Sequence, residues 1–207
     1  MQSLAWKSYD DFGGSLFEDY EKLSFSKIHR SFLRFLPERG GACLDVGAGS
    51  GRDAAAMARR GFRVTAVEPS RILRDLAQRT RADAKIRWID DSLPNLSKLL
   101  ASKQRYSFIL LSAVWMHIAP NDRSQALKTL TKLLDFEGCI AITLRTGTPC
   151  DDRTMYAVSV QELLELSRQV GLKPIYVSRT VQDSLNRNQV QWRKVVLVKS
   201  SSDISTS

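Results

Sequence analysis

A short apolar run, Ala42-Cys43-Leu44-Asp45-Val46, breaks into glycines at three alternate positions, Gly47, Gly49 and Gly51. It then opens into the helical pattern of Arg52 to Arg60. The run has the length and composition of a buried strand. Glycines at alternate positions let the backbone turn sharply and let another group approach without Cβ interference. The helix that follows presents unpaired N–H groups to a polar or anionic ligand. A strand, a tight loop and a helix in this order predict an α/β fold with a nucleotide-type site at the strand end.

The rest of the chain repeats the unit. Arg63–Val67 is expected as a second strand, followed by a helix capped by Ser70 with Ile72, Leu73, Leu76 and Ala77 on one face. Lys85–Ile89 and Tyr106–Leu111 are the third and fourth strands. The fourth is almost wholly apolar, which predicts a central parallel position. Asn121 and Asp122 open a helix carrying Ala126, Leu127, Leu130, Leu133 and Leu134, with Gly138 as its expected stop. Cys139–Leu144 is the fifth strand. Ser159-Val160-Gln161-Glu162 reads as a capping box for a helix ending at Gly171. Leu172–Ser178 and Val190–Lys199, joined by the polar stretch Asp183–Asn188, predict a closing antiparallel hairpin. Ahead of all this, Phe25, Ile28, Phe32, Phe35 and Leu36 recur at helical spacing until Pro37 ends the run. That helix is expected to pack on the sheet edge or to cover the ligand mouth. The expected architecture is a doubly wound, mostly parallel sheet with helices on both faces. It forms a single domain over 1–199 with an N-terminal helical cap over 1–40, and 200–207 is a disordered tail.

The glycine loop is not a dinucleotide fingerprint, because the third glycine of G-x-G-x-x-G would fall on Arg52; nor is it a P-loop, which needs Gly-Lys-Ser/Thr. The acidic residue closing the second strand, Glu68 in Val64-Thr65-Ala66-Val67-Glu68-Pro69, lies 23 residues after Asp45. That position suits a carboxylate holding two ribose hydroxyls. Asp-x-Gly-x-Gly-x-Gly followed by a strand-ending Glu resembles the class I S-adenosylmethionine-dependent methyltransferases, over about Cys43 to Val198. The resemblance implies a seven-stranded Rossmann-like sheet with one antiparallel strand, and S-adenosylmethionine as cofactor.

It also implies roles for residues at the carboxyl ends of the strands. The loop Gly47–Gly51, with Asp45, Arg52 and Asp53, surrounds the methionyl part of the cofactor. Asp45 bonds its ammonium, or pins the loop by accepting backbone N–H groups, or does both. Glu68, followed by Pro69, is the ribose clamp. An Asp after the third strand accepts from the adenine amino group, and the next backbone N–H bonds the ring. Asp90 and Asp91 both fit, with Asp91-Ser92 the better match to the family pattern, and Leu93 follows. Ser112 and Ala113, after the fourth strand, line the cofactor. Trp115 is a wall of the methyl-transfer pocket or a core aromatic. His117 is a general base, since imidazole titrates near neutrality, or a structural histidine. His29, beside the apolar face of the first helix, reads as structural. Arg145 holds an acceptor anion or pairs with Asp151 and Asp152. Tyr9 closes over the site or is a surface aromatic. The acceptor pocket is expected between the N-terminal helices, Trp115–His117 and the Arg145–Tyr156 loop.

Composition bears on the partner. Net charge is +9, from 31 basic and 22 acidic residues. Arg59, Arg60, Arg63, Arg71, Arg74, Arg79 and Arg81 fall on expected outer elements. Such a balance favours anionic partners, nucleic acid included, yet no aromatic residues interleave these arginines as a base-stacking platform requires. A solvated basic surface is the simpler reading. No Asn/Asp-Pro-Pro-Tyr/Phe motif follows the fourth strand, which by the resemblance argues against amino groups of nucleobases or glutamine as acceptors. No apolar run reaches a membrane span. The three cysteines lack metal-ligand spacing, and no secretory signal is visible. The expectation is a cytoplasmic enzyme with no metal. It passes a methyl group in line to an oxygen or nitrogen of a small molecule. Alternatives are an RNA or protein methyltransferase and a cofactor-binding module without turnover. Oligomeric state is not legible.

Overall fold

The computed structural model describes residues 17, 21–147, 154–184 and 190–200. Its strands are β1 (Ala42–Val46), β2 (Arg63–Val67), β3 (Ile86–Ile89), β4 (Tyr106–Leu111), β5 (Leu134–Gly147), β6 (Leu172–Val177), β7 (Val181–Gln182) and β8 (Val190–Lys199). They form one sheet in the order β3-β2-β1-β4-β5-β8-β6, with the two-residue β7 paired to β8. Strands β1 to β5 run parallel, and β8 is antiparallel to both β5 and β6. The doubly wound sheet and its antiparallel member match the sequence expectation. The chain winds one way from β1 to β3 and the other way from β4 onward. The crevice between the ends of β1 and β4 is therefore the topological switch point where ligands bind in such sheets.

Helices α1 (Phe25–Ile28), α2 (Arg52–Arg59), α3 (Arg71–Thr80), α4 (Ser97–Ala101), α5 (Pro120–Leu133) and α6 (Val160–Gln169) cover the sheet. Successive strand residues point to opposite faces, and both faces are apolar here. Leu44, Val46, Ile109, Leu111, Ile140 and Ile142 pack with Leu127, Leu130 and Leu163. Cys43, Phe108, Leu110, Cys139 and Ala141 pack with Phe25, Phe32, Ala54 and Met57. Burial pushes the thiols of Cys43 and Cys139 up to about 12, so both stay neutral core groups. No helix among the described residues is long and apolar enough to cross a membrane.

Three local expectations are corrected. The N-terminal apolar run is not one helix: α1 stops at Ile28, turns follow, and a 3₁₀ turn spans Leu33–Phe35. Tertiary anchoring overrides the periodicity, because His29 and Phe32 are both drawn fully into the interior. The segment lies on the face of the sheet rather than its edge. Gly138 does not stop α5, which ends at Leu133, and Leu134 already has extended backbone. Gly138 lies inside β5, where a Cβ would sit 2.8 Å from the Tyr106 carbonyl oxygen; the glycine admits the β4 backbone. Strand β5 is accordingly much longer than the apolar core Cys139–Leu144.

The cap-facing side of the sheet changes character at the carboxyl ends of its central strands. Continuing the alternation from Cys43, Leu110 and Ala141 places Asp45, Ser112 and Thr143 on that face. Asp45 and Thr143 are buried there, with His29 and Asp53 buried nearby. This polar layer within an apolar core marks the site.

Candidate active site

The loop after β1 needs its glycines for different reasons. Gly47, Gly49 and Gly51 all have left-handed backbone, with φ of 68°, 54° and 71°. A Cβ on Gly47 would lie 2.6 Å from Val114 Cγ2, and one on Gly51 would lie 2.8 Å from Trp88 Cη2. The loop is tied back to β2 because Gly47 N and Ala48 N both donate to the Val67 carbonyl, at 2.8 and 2.9 Å.

Glu68 is 5% exposed and braces the same loop. Its Oε2 accepts from Gly49 N at 2.8 Å and its Oε1 from Ser70 N at 2.9 Å. Asp45 is 1% exposed. It accepts from the Ala54 backbone N–H, while its Oδ2 has no hydrogen-bond partner among the described residues. Burial, then the neighbouring Asp53 and Glu68 charges, hold its pKa well above the carboxylate range, against the opposing pull of Arg52 and the Ala54 bond. A buried oxygen without a donor is uncommon in a finished core and fits a site completed by a cationic or amino-bearing ligand.

Asp53 is satisfied differently. His29 Nε2 donates to its Oδ2 at 2.9 Å, and Arg52 supplies Nε to Oδ1 at 2.7 Å and Nη2 to Oδ2 at 2.9 Å. Burial alone would raise its pKa. The pairing with His29 and Arg52 overrides burial and holds the carboxyl below its usual range. The His29 ring also approaches Ser112 Oγ at 3.4 Å, joining the N-terminal cap to the ends of β1 and β4.

After β3, Asp91 Oδ1 accepts from Ser92 N at 2.9 Å and Oδ2 from Leu99 N at 3.0 Å, fixing the turn into α4. Asp90 is exposed and pairs with Arg74 and Lys98 at 3.2 and 3.4 Å. Leu93 packs against the core, and the Pro69 carbonyl accepts from Arg74 at 3.3 Å. After β4, Ala113 has φ of 58° and its N–H donates to Thr143 Oγ1 at 2.7 Å. Trp115 is fully buried within the core cluster, and its indole N–H has no hydrogen-bond partner among the described residues.

The segments after β4 and β5 are joined by direct contacts. Tyr156 N donates to the Met116 carbonyl at 2.8 Å. His117 Nδ1 donates to the Thr154 carbonyl at 2.8 Å, which in the neutral ring makes Nε2 the basic nitrogen. Arg123, 1% exposed, donates to Ile118 O at 3.2 Å, to Ala157 O at 2.8 Å and to both oxygens of Glu162 at 2.7 and 2.5 Å. Arg145 Nη1 lies 3.4 Å from Met155 Sδ. Tyr9, Cys150, Asp151 and Asp152 fall outside the described residues, so the expected lid and the Arg145 pairing with the two aspartates lie outside the structure's reach.

Sequence reasoning passed over Arg123, Thr143 and the partnership of His29. Arg123 had a signal: it precedes Ala126, Leu127 and Leu130 by three, four and seven positions, on the apolar stripe of its helix. Thr143 stands between Ile142 and Leu144 in an apolar strand. No spacing rule links His29 to Asp53. Among the described residues no His/Cys/Asp/Glu cluster forms a metal site.

The family model of a methyltransferase domain matches residues 18–172. No curated protein matches the chain by sequence. Solved structures are similar over nearly all of it. A TehB-like S-adenosylmethionine-dependent methyltransferase from Corynebacterium glutamicum has a TM-score of 0.66 at 20% identity, covering 89% of this chain and 98% of that one. Magnesium protoporphyrin IX methyltransferase from Synechocystis, with bound S-adenosylhomocysteine, gives 0.71 at 14%, covering 93% and 98%. The 1,6-didemethyltoxoflavin-N1-methyltransferase of Burkholderia thailandensis gives 0.67 at 21%, covering 93% and 88%. A methyltransferase-domain match over most of the chain and a glycine loop at the switch point agree with the unpaired Asp45 oxygen beside that loop. The chain belongs to the class I S-adenosylmethionine-dependent methyltransferases.

Proposed function

We propose that this methyltransferase transfers the cofactor's methyl group to an oxygen or nitrogen of a small molecule. The observation that carries the reading is the tie between the segments after β4 and β5 through Tyr156 N, His117 Nδ1 and Arg123. That tie gives the acceptor side a confined frame, suited to a small acceptor rather than a polymer. Two of the similar structures are of enzymes named for small acceptors, a toxoflavin precursor and a porphyrin. The basic surface supports the same reading, since several of its arginines are engaged within the protein. Arg59 pairs with Asp83, Arg63 bonds the Gly40 carbonyl, Arg74 pairs with Asp90 and Arg81 pairs with Glu21. Two buried free cysteines are in keeping with a reducing, cytoplasmic setting.

The cofactor supplies an electrophilic methyl group on a sulfonium. The protein's part is binding, orientation and proton handling. Asp45, the Gly47–Gly51 loop and Glu68 would hold the cofactor, with Asp91 and Ser92 at the adenine end. Confinement by the acceptor-side segments holds the nucleophile at attacking distance and keeps water out, which supplies most of the acceleration in such transfers. His117 Nε2 would take the acceptor's proton as its nucleophile is alkylated, and Arg145 would hold an anionic group of the acceptor.

The test is transfer of labelled methyl from S-adenosylmethionine into a fractionated cell extract. Label should appear in the small-molecule fraction and be indifferent to nuclease. Label confined to RNA, with binding that weakens steeply as salt rises, would replace this reading with that of an RNA methyltransferase. Label confined to protein would replace it with a protein methyltransferase.

A further inference from the structure

We propose that Thr143, on β5, is a positioning residue for the cofactor site. Its hydroxyl sets the left-handed turn at Ala113 that closes the crevice between β1 and β4. The argument starts from the backbone. Ala113 has φ of 58°, in a region where a Cβ crowds the following carbonyl and which residues other than glycine rarely enter. A residue held there persists only where its surroundings over-determine it. The hydrogen bond that holds this turn is Ala113 N to Thr143 Oγ1 at 2.7 Å. Thr143 is buried, 3% exposed. It is a polar residue in a stretch of β5 that otherwise reads Cys139-Ile140-Ala141-Ile142 before it and Leu144 after it.

The turn has a consequence on each side. Val114, the next residue, is delivered against the glycine loop so closely that its Cγ2 lies 2.6 Å from where a Cβ on Gly47 would be. Glycine at position 47 and the left-handed turn at Ala113 are two halves of one close approach. Beyond Val114 the chain enters the Trp115–His117 turn, with His117 N donating to the Val114 carbonyl at 2.9 Å. One hydroxyl from β5 thereby sets the spacing between the cofactor loop and the segment that carries His117. The layer around it is polar and shared: Asp45, Ser112, His29 and Asp53 occupy the same face of the strand ends.

This inference rests on the cofactor-site reading above, and its test separates the two. S-adenosylhomocysteine is titrated calorimetrically into the wild type, Thr143→Val, Thr143→Ser and Thr143→Val/Ala113→Gly. Valine keeps the shape and removes the acceptor, so nothing holds Ala113 in the left-handed region and the turn relaxes; affinity should fall about tenfold, the scale of one lost hydrogen bond. Serine restores the acceptor and should stay within about threefold of wild type. The double variant should recover most of the loss, because glycine occupies the left-handed region without needing the hydroxyl. Amide exchange should show the Ala113 N–H protected in wild type and Thr143→Ser but fast in Thr143→Val. Thr143→Val binding as tightly as wild type, or no recovery in the double variant, overturns the positioning role. A wild type that binds no S-adenosylhomocysteine overturns the site assignment instead. If Thr143→Val does not fold, Ala113→Val serves with Thr143 intact. A β-branched residue disfavours the turn, so its affinity should fall as far, and undiminished affinity would overturn the proposal.

Discussion

His29 and Asp53, 24 positions apart in sequence, form a buried pair with His29 Nε2 at 2.9 Å from Asp53 Oδ2. His29 leaves the N-terminal cap and Asp53 opens the helix that follows the glycine loop. The pair therefore bolts the cap to the helix that follows the glycine loop. With Arg52 on its other side, Asp53 has three donors in an interior that excludes water.

Replacing His29 by leucine leaves Asp53 with Arg52 alone. Loss of one charge-assisted bond in a buried site should cost about 1–3 kcal/mol in stability, read from urea unfolding of the cofactor-free enzyme. The pH dependence carries a sign. The folded-state pKa of Asp53 is lowered, so its contribution is fully present above the unfolded value of about 3.9. It is lost as pH falls below that value. Asp53→Asn should flatten the acid limb of the stability curve. Identical acid limbs in the two proteins would show that the pair contributes nothing to acid sensitivity.

Asp45 has the opposite sign. Its folded-state pKa is raised, first by burial and then by Asp53 and Glu68. The folded form therefore holds its proton more tightly. Stability from this group is full below about pH 3.9 and declines as pH rises toward the folded value. Asp45→Asn removes that decline, so the cofactor-free variant should melt higher at neutral pH than the wild type. The same change should weaken S-adenosylhomocysteine binding by about tenfold, as expected for loss of a bond to a charged group. A variant that melts lower and binds normally would make Asp45 a loop pin only.

Glu68→Ala should weaken cofactor binding by roughly 1.5–3 kcal/mol. It should also lower stability, because Gly49 N and Ser70 N lose their acceptors. Glu68→Gln keeps one carbonyl oxygen and should fall between alanine and wild type in both measurements. Calorimetry alongside thermal melting distinguishes the roles. A drop in melting temperature with unchanged affinity in a folded variant would remove Glu68 from the ribose clamp.

For His117, the bond from Nδ1 to the Thr154 carbonyl fixes the ring, and Nε2 is the nitrogen that a base role would use. A base role predicts a rate that rises with pH as the catalytic imidazole gives up its proton. It also predicts a loss of about 10²–10⁴-fold in kcat for His117→Asn with cofactor affinity preserved. A flat pH–rate profile and a loss under about tenfold would leave His117 as the tie to the 154–157 segment and proximity as the source of rate.

The sequence by itself determined the sheet and the glycine loop at its switch point. Residue patterns gave β1, β2, β4 and β8 at the observed bounds; β1, β2 and β4 are buried along almost their whole length, and their composition records it. The loop Gly47–Gly51 and Glu68 were legible because close backbone approach and a strand-end carboxylate need particular residue types at short spacing. Tertiary structure decided what depends on distant partners. It broke the run from Phe25 to Leu36 so that His29 could reach Asp53. It ended α5 at Leu133, where β5 begins to pair with β4, and spent Gly138 on admitting the Tyr106 carbonyl. It brought Thr143 to Ala113 and Arg123 to Glu162. Hydrogen bonds between residues 24 to 39 positions apart carry no periodic signature. They exist only once the sheet has set the spacing of its strand ends.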